Sequence, residues 1–580
     1  MGDVARARAL LDDGAVRTVE QMASDDPGRT DALFMLAVLF TKTGRAKEAE
    51  RFYKEVLKHR RHPLVLFELA NICRDTGRLS QAVRYQQQAV ELSPDSPELR
   101  TTLGEYLIRM GRTREGIDLL RKAVETSPDK VNHSKYLWHL HQTADIDRDV
   151  LFEEHKRWAR IHAPAELARV SHDNTIDPDR RLRIGYISPD FCGHSVSYFF
   201  EPILEAHDAE AVEVYGYGDV SCPDQVTEEL KVKFGHYRNI CGLRDQEVAK
   251  MIEQDKIDIL VDLAGHTSGN RLGVMARKPA PVQVTYLGFP DTTGMGQIDY
   301  RLTDETADPP DAQRFHTEKL VFLPGGFLCY KPPGFAPPVN SLPAIEKGCF
   351  TFGSFNNNCK IQPDMMRLWA EILKRRESSR LLLKFGGGDD PAVRDHYLRE
   401  FESFGISRER VDICGRKPTI EHFRMYGRVD MALDTYPYNG TTTTCEAMWM
   451  GVPTLSLAGK AHASRVGLSI LSRVGLSDFA ASTPAEYVEK AVAFSGELDN
   501  LAKIRASLRS MMFNSPLCDK KRFTKNLEAA YRAMWRQWCD GSQMEVGQTV
   551  SGTNPAESQD GERLCPATLT RRAADDGEGQ

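Results

Sequence analysis

The chain has 580 residues, with 76 Lys and Arg against 82 Asp and Glu, and its net charge is −6. This slightly acidic balance argues against a nucleic-acid partner, because nucleic-acid-binding surfaces need an excess of basic residues. Hydrophobic residues make up 41% of the chain and charged residues 27%, as in soluble globular proteins. The length suggests three or four domains.

Targeting features and cysteines predict a cytoplasmic protein with no membrane partner. No apolar run is long enough to span a bilayer, and no apolar signal segment follows Met1. The 12 cysteines are scattered without a Cys-x-x-Cys pair. The pattern therefore supports neither a disulfide framework nor a zinc site, and reduced thiols fit it better.

Residues 30 to 130 contain a repeat with a period of about 34 residues, which is typical of tetratricopeptide (TPR) repeats. Each unit is predicted to be two antiparallel helices whose connecting turn contains a glycine. We predict a domain at residues 1–131 with three repeats and a degenerate fourth unit before residue 27. Such stacks bind polypeptides along a concave surface, although a dimerisation platform or a spacer is an alternative. The matching positions are Leu36-Ala37, Leu69-Ala70 and Leu103-Gly104, then Gly44-Arg45, Gly77-Arg78 and Gly111-Arg112, then Ala49, Ala82 and Gly116.

After a predicted helical connector at residues 132–178, short apolar strands alternate with helical segments. This alternation predicts parallel sheets covered by helices. A proline-rich stretch divides the region into two Rossmann-like domains, residues 179–338 and 339–540, with a cleft between them. The predicted strands are Leu182–Ile187, Val212–Tyr217, Ile257–Leu263, Val282–Tyr286, Phe350–Phe355, Arg380–Phe385, Val411–Cys414, Met431–Asp434 and Thr454–Leu457.

The C-terminal segment contains two different sequence patterns, at residues 519–538 and 541–580. Residues 519–538 have the pattern of an amphipathic helix. Residues 541–580 are polar and rich in Gly, Ser and Asp, and we predict a disordered tail there.

A turn at Asn439-Gly440 leads into a helix whose first turn contains Thr442 and Thr443. Helix N-termini carry unpaired N–H groups and partial positive charge, so this segment is a candidate phosphate site. Glu446 follows one turn later, and its carboxylate suits the paired hydroxyls of a ribose. Phosphate and diol together indicate a nucleotide. The alternative is an ordinary threonine N-cap with an acidic residue in the first turn.

Other polar loops follow predicted strands, at the edge of the sheets where ligands usually bind. Asp190 and His194 follow the first strand, and the histidine could act as a base or orient a hydroxyl. The loop from Gly288 to Gly294, which includes Pro290, is rich in turn residues and could approach a sugar closely. Each of these loops could instead be structural.

The second half offers two further candidates. Asn357 and Lys360 share a loop that supplies amide donors and a cation, as a diphosphate leaving group requires. His422 lies at the start of a helix and could stack on a base or merely cap the helix. A surface lysine in an asparagine-rich turn is the alternative for the first pair.

Taken together, these segments resemble the O-linked N-acetylglucosaminyltransferase family, including its plant SPINDLY-type branch, over about residues 30 to 540. Several long motifs occur in the family's order behind the repeats. They are Arg183-Ile-Gly-Tyr-Ile-Ser-Pro-Asp-Phe, Ile259-Leu-Val-Asp-Leu-Ala-Gly-His-Thr, Arg277-Lys-Pro-Ala-Pro-Val-Gln-Val, Phe352-Gly-Ser-Phe-Asn-Asn, Leu433-Asp-Thr-Tyr-Pro-Tyr-Asn-Gly-Thr-Thr-Thr-Thr-Cys-Glu and His462-Ala-Ser-Arg-Val-Gly.

The resemblance implies a two-domain GT-B glycosyltransferase. Such an enzyme transfers a sugar from a nucleotide to Ser or Thr of proteins, with inversion and without a metal or cofactor. It places Lys360, Thr442 and Thr443 on the donor diphosphate, Glu446 on the ribose and His422 near the base. It also makes Asp190 and His194 an active-site pair, in which the histidine is either a base or a positioning group.

The donor remains open between UDP-N-acetylglucosamine, which we favour, and GDP-fucose. His462-Ala-Ser-Arg resembles the N-acetylglucosamine type, whereas Ser188-Pro-Asp-Phe, Phe327-Leu-Cys-Tyr and the threonine run resemble SPINDLY. Asn357 stands where animal members have Gln, and Met425 stands where they have Arg. The insertion that animal members carry between the catalytic halves is missing.

The resemblance also implies polypeptide acceptors bound along the repeats, and oligomers are possible. A non-catalytic TPR adaptor is the alternative from another functional class.

Overall fold

A computed structural model describes residues 21, 30–143 and 146–550 of the protein. The predicted degenerate repeat before residue 27 lies outside these ranges apart from Gln21. Residues 551–580 of the predicted tail also lie outside them.

The described N-terminal part is a stack of three antiparallel helix pairs, as the repeat pattern predicts. Gly44, Gly77 and Gly111 form the turns within the pairs with φ angles of 78°, 79° and 87°, a left-handed conformation that favours glycine. Two connector helices continue the stack. The eight helices are α1 (Thr30–Lys42), α2 (Ala46–His59), α3 (Pro63–Asp75), α4 (Leu79–Leu92), α5 (Pro97–Arg109), α6 (Thr113–Thr126), α7 (Lys130–Leu140) and α8 (Arg148–His162).

The first α/β unit is a seven-stranded parallel sheet with the order β3-β2-β1-β4-β5-β6-β7. Its strands are β1 (Leu182–Ser188), β2 (Val212–Gly218), β3 (His236–Asn239), β4 (Ile259–Asp262), β5 (Val282–Thr285), β6 (Tyr300–Thr303) and β7 (Lys319–Phe322). Its helices are α9 (Ser197–Ala206), α10 (Gln225–Lys231), α11 (Asp245–Gln254) and α12 (Leu272–Met275).

The second unit is a six-stranded parallel sheet with the order β10-β9-β8-β11-β12-β13. Its strands are β8 (Thr351–Ser354), β9 (Arg380–Lys384), β10 (Val411–Cys414), β11 (Met431–Leu433), β12 (Thr454–Leu457) and β13 (Ala480–Ala481). The remaining helices are α13 (Pro343–Lys347), α14 (Pro363–Arg375), α15 (Pro391–Ser403), α16 (Thr419–Met425), α17 (Thr442–Trp449), α18 (Val466–Val474), α19 (Pro484–Phe494), α20 (Leu498–Phe513) and α21 (Lys520–Val550).

One helical stack and two parallel sheets confirm the predicted fold class, a TPR stack followed by a GT-B pair. Four strands, β3, β6, β7 and β13, were not predicted. The sequence of β3, His-Tyr-Arg-Asn, lacks an apolar run because it is an edge strand, and β13 has only two residues.

The last helix differs from its prediction in extent and in partner. It continues to Val550, so residues 541–550 are helical rather than part of the predicted tail. It also packs on the first sheet, although its sequence was assigned to the second domain. Tyr531 hydroxyl lies 3.3 Å from Tyr186 hydroxyl of β1, and Glu528 accepts a 2.8 Å hydrogen bond from His207. An apolar face that includes Leu527 and Trp535 explains this return.

Both sheets direct the carboxyl ends of their strands toward one cleft. The chain order reverses between β1 and β4 in the first sheet and between β8 and β11 in the second. Ligands of open parallel sheets bind at such reversal points. None of the helices in the described ranges has the length and apolar character needed to cross a bilayer.

We predict that Gly116→Leu destabilises the third repeat by about 1–3 kcal/mol through overpacking. A Cβ atom on Gly116 would lie 2.5 Å from the carbonyl oxygen of Gly104 on the facing helix. Thermal unfolding with Gly334→Ala as control measures the effect, because a Cβ on Gly334 meets open space. Equal midpoints for the two variants would contradict the predicted close packing.

Candidate active site

A cavity of about 540 Å³ lies where the two sheets and the helical stack meet. The loops after β1, β4, β5 and β8, the start of α17, and helices α5 and α7 all contribute to its lining. Seven of the ten sequence-predicted residues line this cavity: Asp190, His194, Gly288, Asn357, Lys360, Thr442 and Thr443.

Lys360 supplies a cation at the wall of the cavity. Its Nζ donates a 2.8 Å hydrogen bond to the carbonyl oxygen of Asn439 and lies 3.9 Å from the ring centroid of Tyr438. Burial lowers the pKa of Lys360 to about 8, and the nearby Asp434 opposes this shift. The amine is therefore mostly charged at neutral pH, with a carbonyl and an aromatic face as its contacts.

Asp434, which follows β11, fixes the turn that precedes α17. Its side chain is 1% exposed and accepts hydrogen bonds from Gly440 N at 2.6 Å, Thr435 N at 2.8 Å and Ser456 Oγ at 2.8 Å. Burial raises the pKa of Asp434 to about 6, and these hydrogen bonds oppose the shift. Sequence reasoning missed this role, because a single Asp at a strand end is common in such sheets.

The threonines of α17 divide between internal bonds and the cavity. Thr443 Oγ1 donates to Asn356 Oδ1 at 2.6 Å, and Thr444 Oγ1 donates to Gly440 O at 3.1 Å. In contrast, the Thr442 hydroxyl and the backbone N–H groups of Thr442 and Thr443 have no acceptor among the described residues. Together with the helix dipole and Lys360, they form a site for an anion.

The His194 ring faces the anion site from the first sheet. The ring is 45% exposed, and its Nδ1 lies 3.4 Å from Asp190 Oδ1 and 3.4 Å from the Val196 backbone nitrogen. Burial raises the pKa of Asp190, and the neighbouring His194 opposes the increase. Both contacts are long, so they orient the ring only weakly.

Three predicted residues, His422, Glu446 and Pro290, lie outside the cavity lining. His422 Nε2 and Glu446 Oε2 form a 2.9 Å hydrogen bond, and Tyr426 hydroxyl lies 3.4 Å from the same carboxylate oxygen. Pro290 is buried in its loop. Asn357 lines the cavity, but its side-chain oxygen caps its own loop by accepting from Cys359 N at 3.2 Å.

Sequence reasoning missed the wall that the helical stack contributes, which consists of Glu105 and Arg109 of α5 and Lys135, Trp138 and His139 of α7. Lys135 Nζ pairs with Glu105 Oε2 at 2.8 Å. Burial lowers the pKa of His139 to about 4. The only local sign of this wall in the sequence is His139, which lies between the apolar residues Trp138 and Leu140. The repeat pattern does not indicate which helix face meets the sheets.

Comparison with known proteins gives one extended family match. The glycosyl transferase family 41 model matches residues 160–331 and 342–527. Two tetratricopeptide repeat models match residues 1–63 and 64–96.

Individual relatives agree with this match. The chain is 45% identical over 401 residues to a Solanum lycopersicum protein named probable UDP-N-acetylglucosamine–peptide N-acetylglucosaminyltransferase SPINDLY, covering 68% of this chain and 43% of that protein. An Arabidopsis thaliana protein named probable UDP-N-acetylglucosamine–peptide N-acetylglucosaminyltransferase SEC is 34% identical over 376 residues. The match covers 63% of this chain and 38% of that protein. The chain thus spans less than half the length of these relatives.

A solved structure is also similar. A mutant of the Thermobaculum terrenum O-GlcNAc transferase superposes with a TM-score of 0.84 at 35% identity, covering 89% of this chain and 99% of that one.

We predict that nucleoside diphosphate affinity decreases as the pH rises through about 8, because Lys360 then loses its charge. With one linked proton the affinity decreases by up to about tenfold per pH unit. Calorimetric titration of UDP and GDP between pH 7.5 and about 9.5 measures this, since the diphosphate itself is already ionised there. Lys360→Arg is the control that stays charged, and an unchanged affinity of the wild-type protein would contradict the prediction.

Proposed function

The chain belongs to glycosyl transferase family 41, and on that premise we propose that it is a protein O-glycosyltransferase. The proposed reaction moves a sugar from a nucleotide donor to a Ser or Thr hydroxyl of a polypeptide. One observation carries the proposal: the Lys360 ammonium and the unpaired N–H groups of α17 line the same cavity as the Asp190–His194 pair.

In the proposed mechanism the departing nucleoside diphosphate develops negative charge at the anion site. Lys360 and the N-terminus of α17 would stabilise that charge, in the way that preorganised donors stabilise developing anions. We propose that the transfer inverts the configuration of the sugar. We also propose that it needs no metal, because these groups supply the positive charge that a metal ion supplies in other enzymes.

For the acceptor side, we favour His194 as a positioning group, with a donor phosphate oxygen as proton acceptor. Its weak orientation and exposure fit a residue that becomes ordered only by substrates. Helices α5 and α7 form one wall of the cavity, so a polypeptide that follows the repeat stack would reach the anion site. We therefore propose polypeptide acceptors guided by the repeats.

The proposed donor is UDP-N-acetylglucosamine, which the names of the relatives contain. Glu446 and His422 remain the proposed ribose and base residues, and a donor would meet them as a hydrogen-bonded pair. The eleven described cysteines are free thiols, which supports a cytoplasmic location.

GDP-fucose is the second candidate donor, because Ser188-Pro-Asp-Phe, Phe327-Leu-Cys-Tyr and the threonine run of α17 resemble the SPINDLY type. The chain is 45% identical to the relative named SPINDLY and 34% identical to the one named SEC.

Lys360→Ala is expected to lower turnover by at least about 10²–10³-fold, because the developing charge loses its cation. A glycosylation assay with nucleotide sugar and polypeptide acceptor measures the loss. Lys374→Ala changes an exposed lysine of the same domain and is the matched control. Unfolding midpoints establish that both variants fold, and wild-type turnover by a folded Lys360→Ala would refute the mechanism.

Titration of the wild-type protein with UDP and GDP separates enzyme from adaptor and identifies the donor class. We expect micromolar or tighter binding of one nucleotide and weakening by Thr442→Val, which removes a hydroxyl but keeps the helix. Thr454→Val, at a buried threonine of β12, is the control. Binding of neither nucleotide would support a non-catalytic TPR adaptor.

A further inference from the structure

The loop that carries Lys360 is built partly on the helical stack. The side chain of Cys359 is 1% exposed and belongs to an apolar cluster whose other members come from the stack. These members are Ile108 of α5, Leu120 and Val124 of α6, Tyr136 and Leu140 of α7, and Leu151 of α8. The residue directly before the lysine is therefore buried in the core of the helical stack.

Asn358 makes a second attachment. Its side chain is buried, and its Nδ2 donates a hydrogen bond to the carbonyl oxygen of Arg109, the last residue of α5. The carbonyl groups at a helix C-terminus lack partners within the helix, so Asn358 satisfies one of them. From the second domain, Tyr397 hydroxyl donates to the Asn358 carbonyl oxygen at 3.3 Å.

Another contact between the stack and the second domain does not involve this loop. Ser80 of α4 donates from N and from Oγ to Asp390 Oδ2 at 2.9 and 2.8 Å. The Ser80 contact lies at the start of α15, whereas the Asn358 contact lies at the end of α5, next to Lys360. Ser80 therefore provides a control for testing the contact beside Lys360, because it joins the same two domains without contacting the loop.

We infer that Asn358 and Cys359 are positioning residues through which the third repeat holds Lys360 at the anion site. The repeat stack then contributes to donor binding itself, in addition to any guidance of the acceptor. The inference rests on the proposed function, because it assigns Lys360 to the donor diphosphate. The loop is short, and a displacement of about 1 Å at a charged group can cost about 10²-fold in rate.

The test uses the full-length protein without an acceptor, so that effects on polypeptide guidance do not contribute. Affinity for UDP and GDP and acceptor-independent hydrolysis of the nucleotide sugar are measured for Asn358→Ala and Ser80→Ala. We expect Asn358→Ala to lose about tenfold in both quantities and Ser80→Ala to stay within about twofold.

Cys359 provides a second pair of variants in case Asn358→Ala does not fold. Cys359→Ser places a hydroxyl in the apolar cluster and is expected to weaken nucleotide binding. Cys359→Ala stays apolar and is expected to retain it within about threefold. A shift of the pH midpoint for nucleotide binding away from the wild-type value near 8 in Asn358→Ala would further support a change at Lys360.

The outcomes separate the two proposals. Wild-type affinity in folded Asn358→Ala and Cys359→Ser would overturn the positioning role and leave the proposed function intact. Losses of equal size in Ser80→Ala and Asn358→Ala would also overturn it, because the whole interface would then be responsible. If the wild-type protein binds neither nucleotide, the proposed function and this inference fail together.

Discussion

The candidate site depends on the buried carboxylate of Asp434, which fixes the turn before α17 at the cleft. Asp434 accepts two backbone N–H groups of the segment from Thr435 to Gly440, and that segment delivers Asn439 to Lys360 and starts α17. A buried carboxylate is costly to desolvate, and hydrogen bonds to its charged form offset the cost. Loss of this acceptor would leave buried N–H groups at both ends of the turn unpaired.

The first sheet repeats the arrangement at its own reversal point. Asp262, at the end of β4, accepts from Gly265 N at 2.8 Å and Ala264 N at 3.2 Å, and burial raises its pKa to about 6. This strand neighbours β1, as β11 neighbours β8. Each half thus uses a buried aspartate to set a loop at the cleft, while the adjacent strand supplies the chemically active side chains.

How far the sequence predicts this structure depends on how local each signal is. The turn glycine Gly111 and the threonines of α17 are specified by neighbours in the chain, and their elements lie where the pattern places them. The bond between His422 and Glu446 and the packing of α21 on the first sheet depend on tertiary contacts. Periodicity reports which residues are buried but not against which partner, so the wall formed by α5 and α7 was not predictable.

The Lys360 ammonium lies in an environment that disfavours its charge, while the residues beside it are attached to the helical stack. Burial lowers its pKa, and the carboxylate that acts against this, Asp434, is already engaged by the turn. The lysine side chain is long and flexible, so a fixed backbone together with the Asn439 and Tyr438 contacts limits where its Nζ can lie. Attachment through Cys359 and Asn358 fixes this backbone to the helical stack. A buried cation with few neutralising contacts stabilises a diphosphate more strongly than a solvated cation does. The rigidity of the helical stack therefore affects the charge that the cleft presents to a diphosphate.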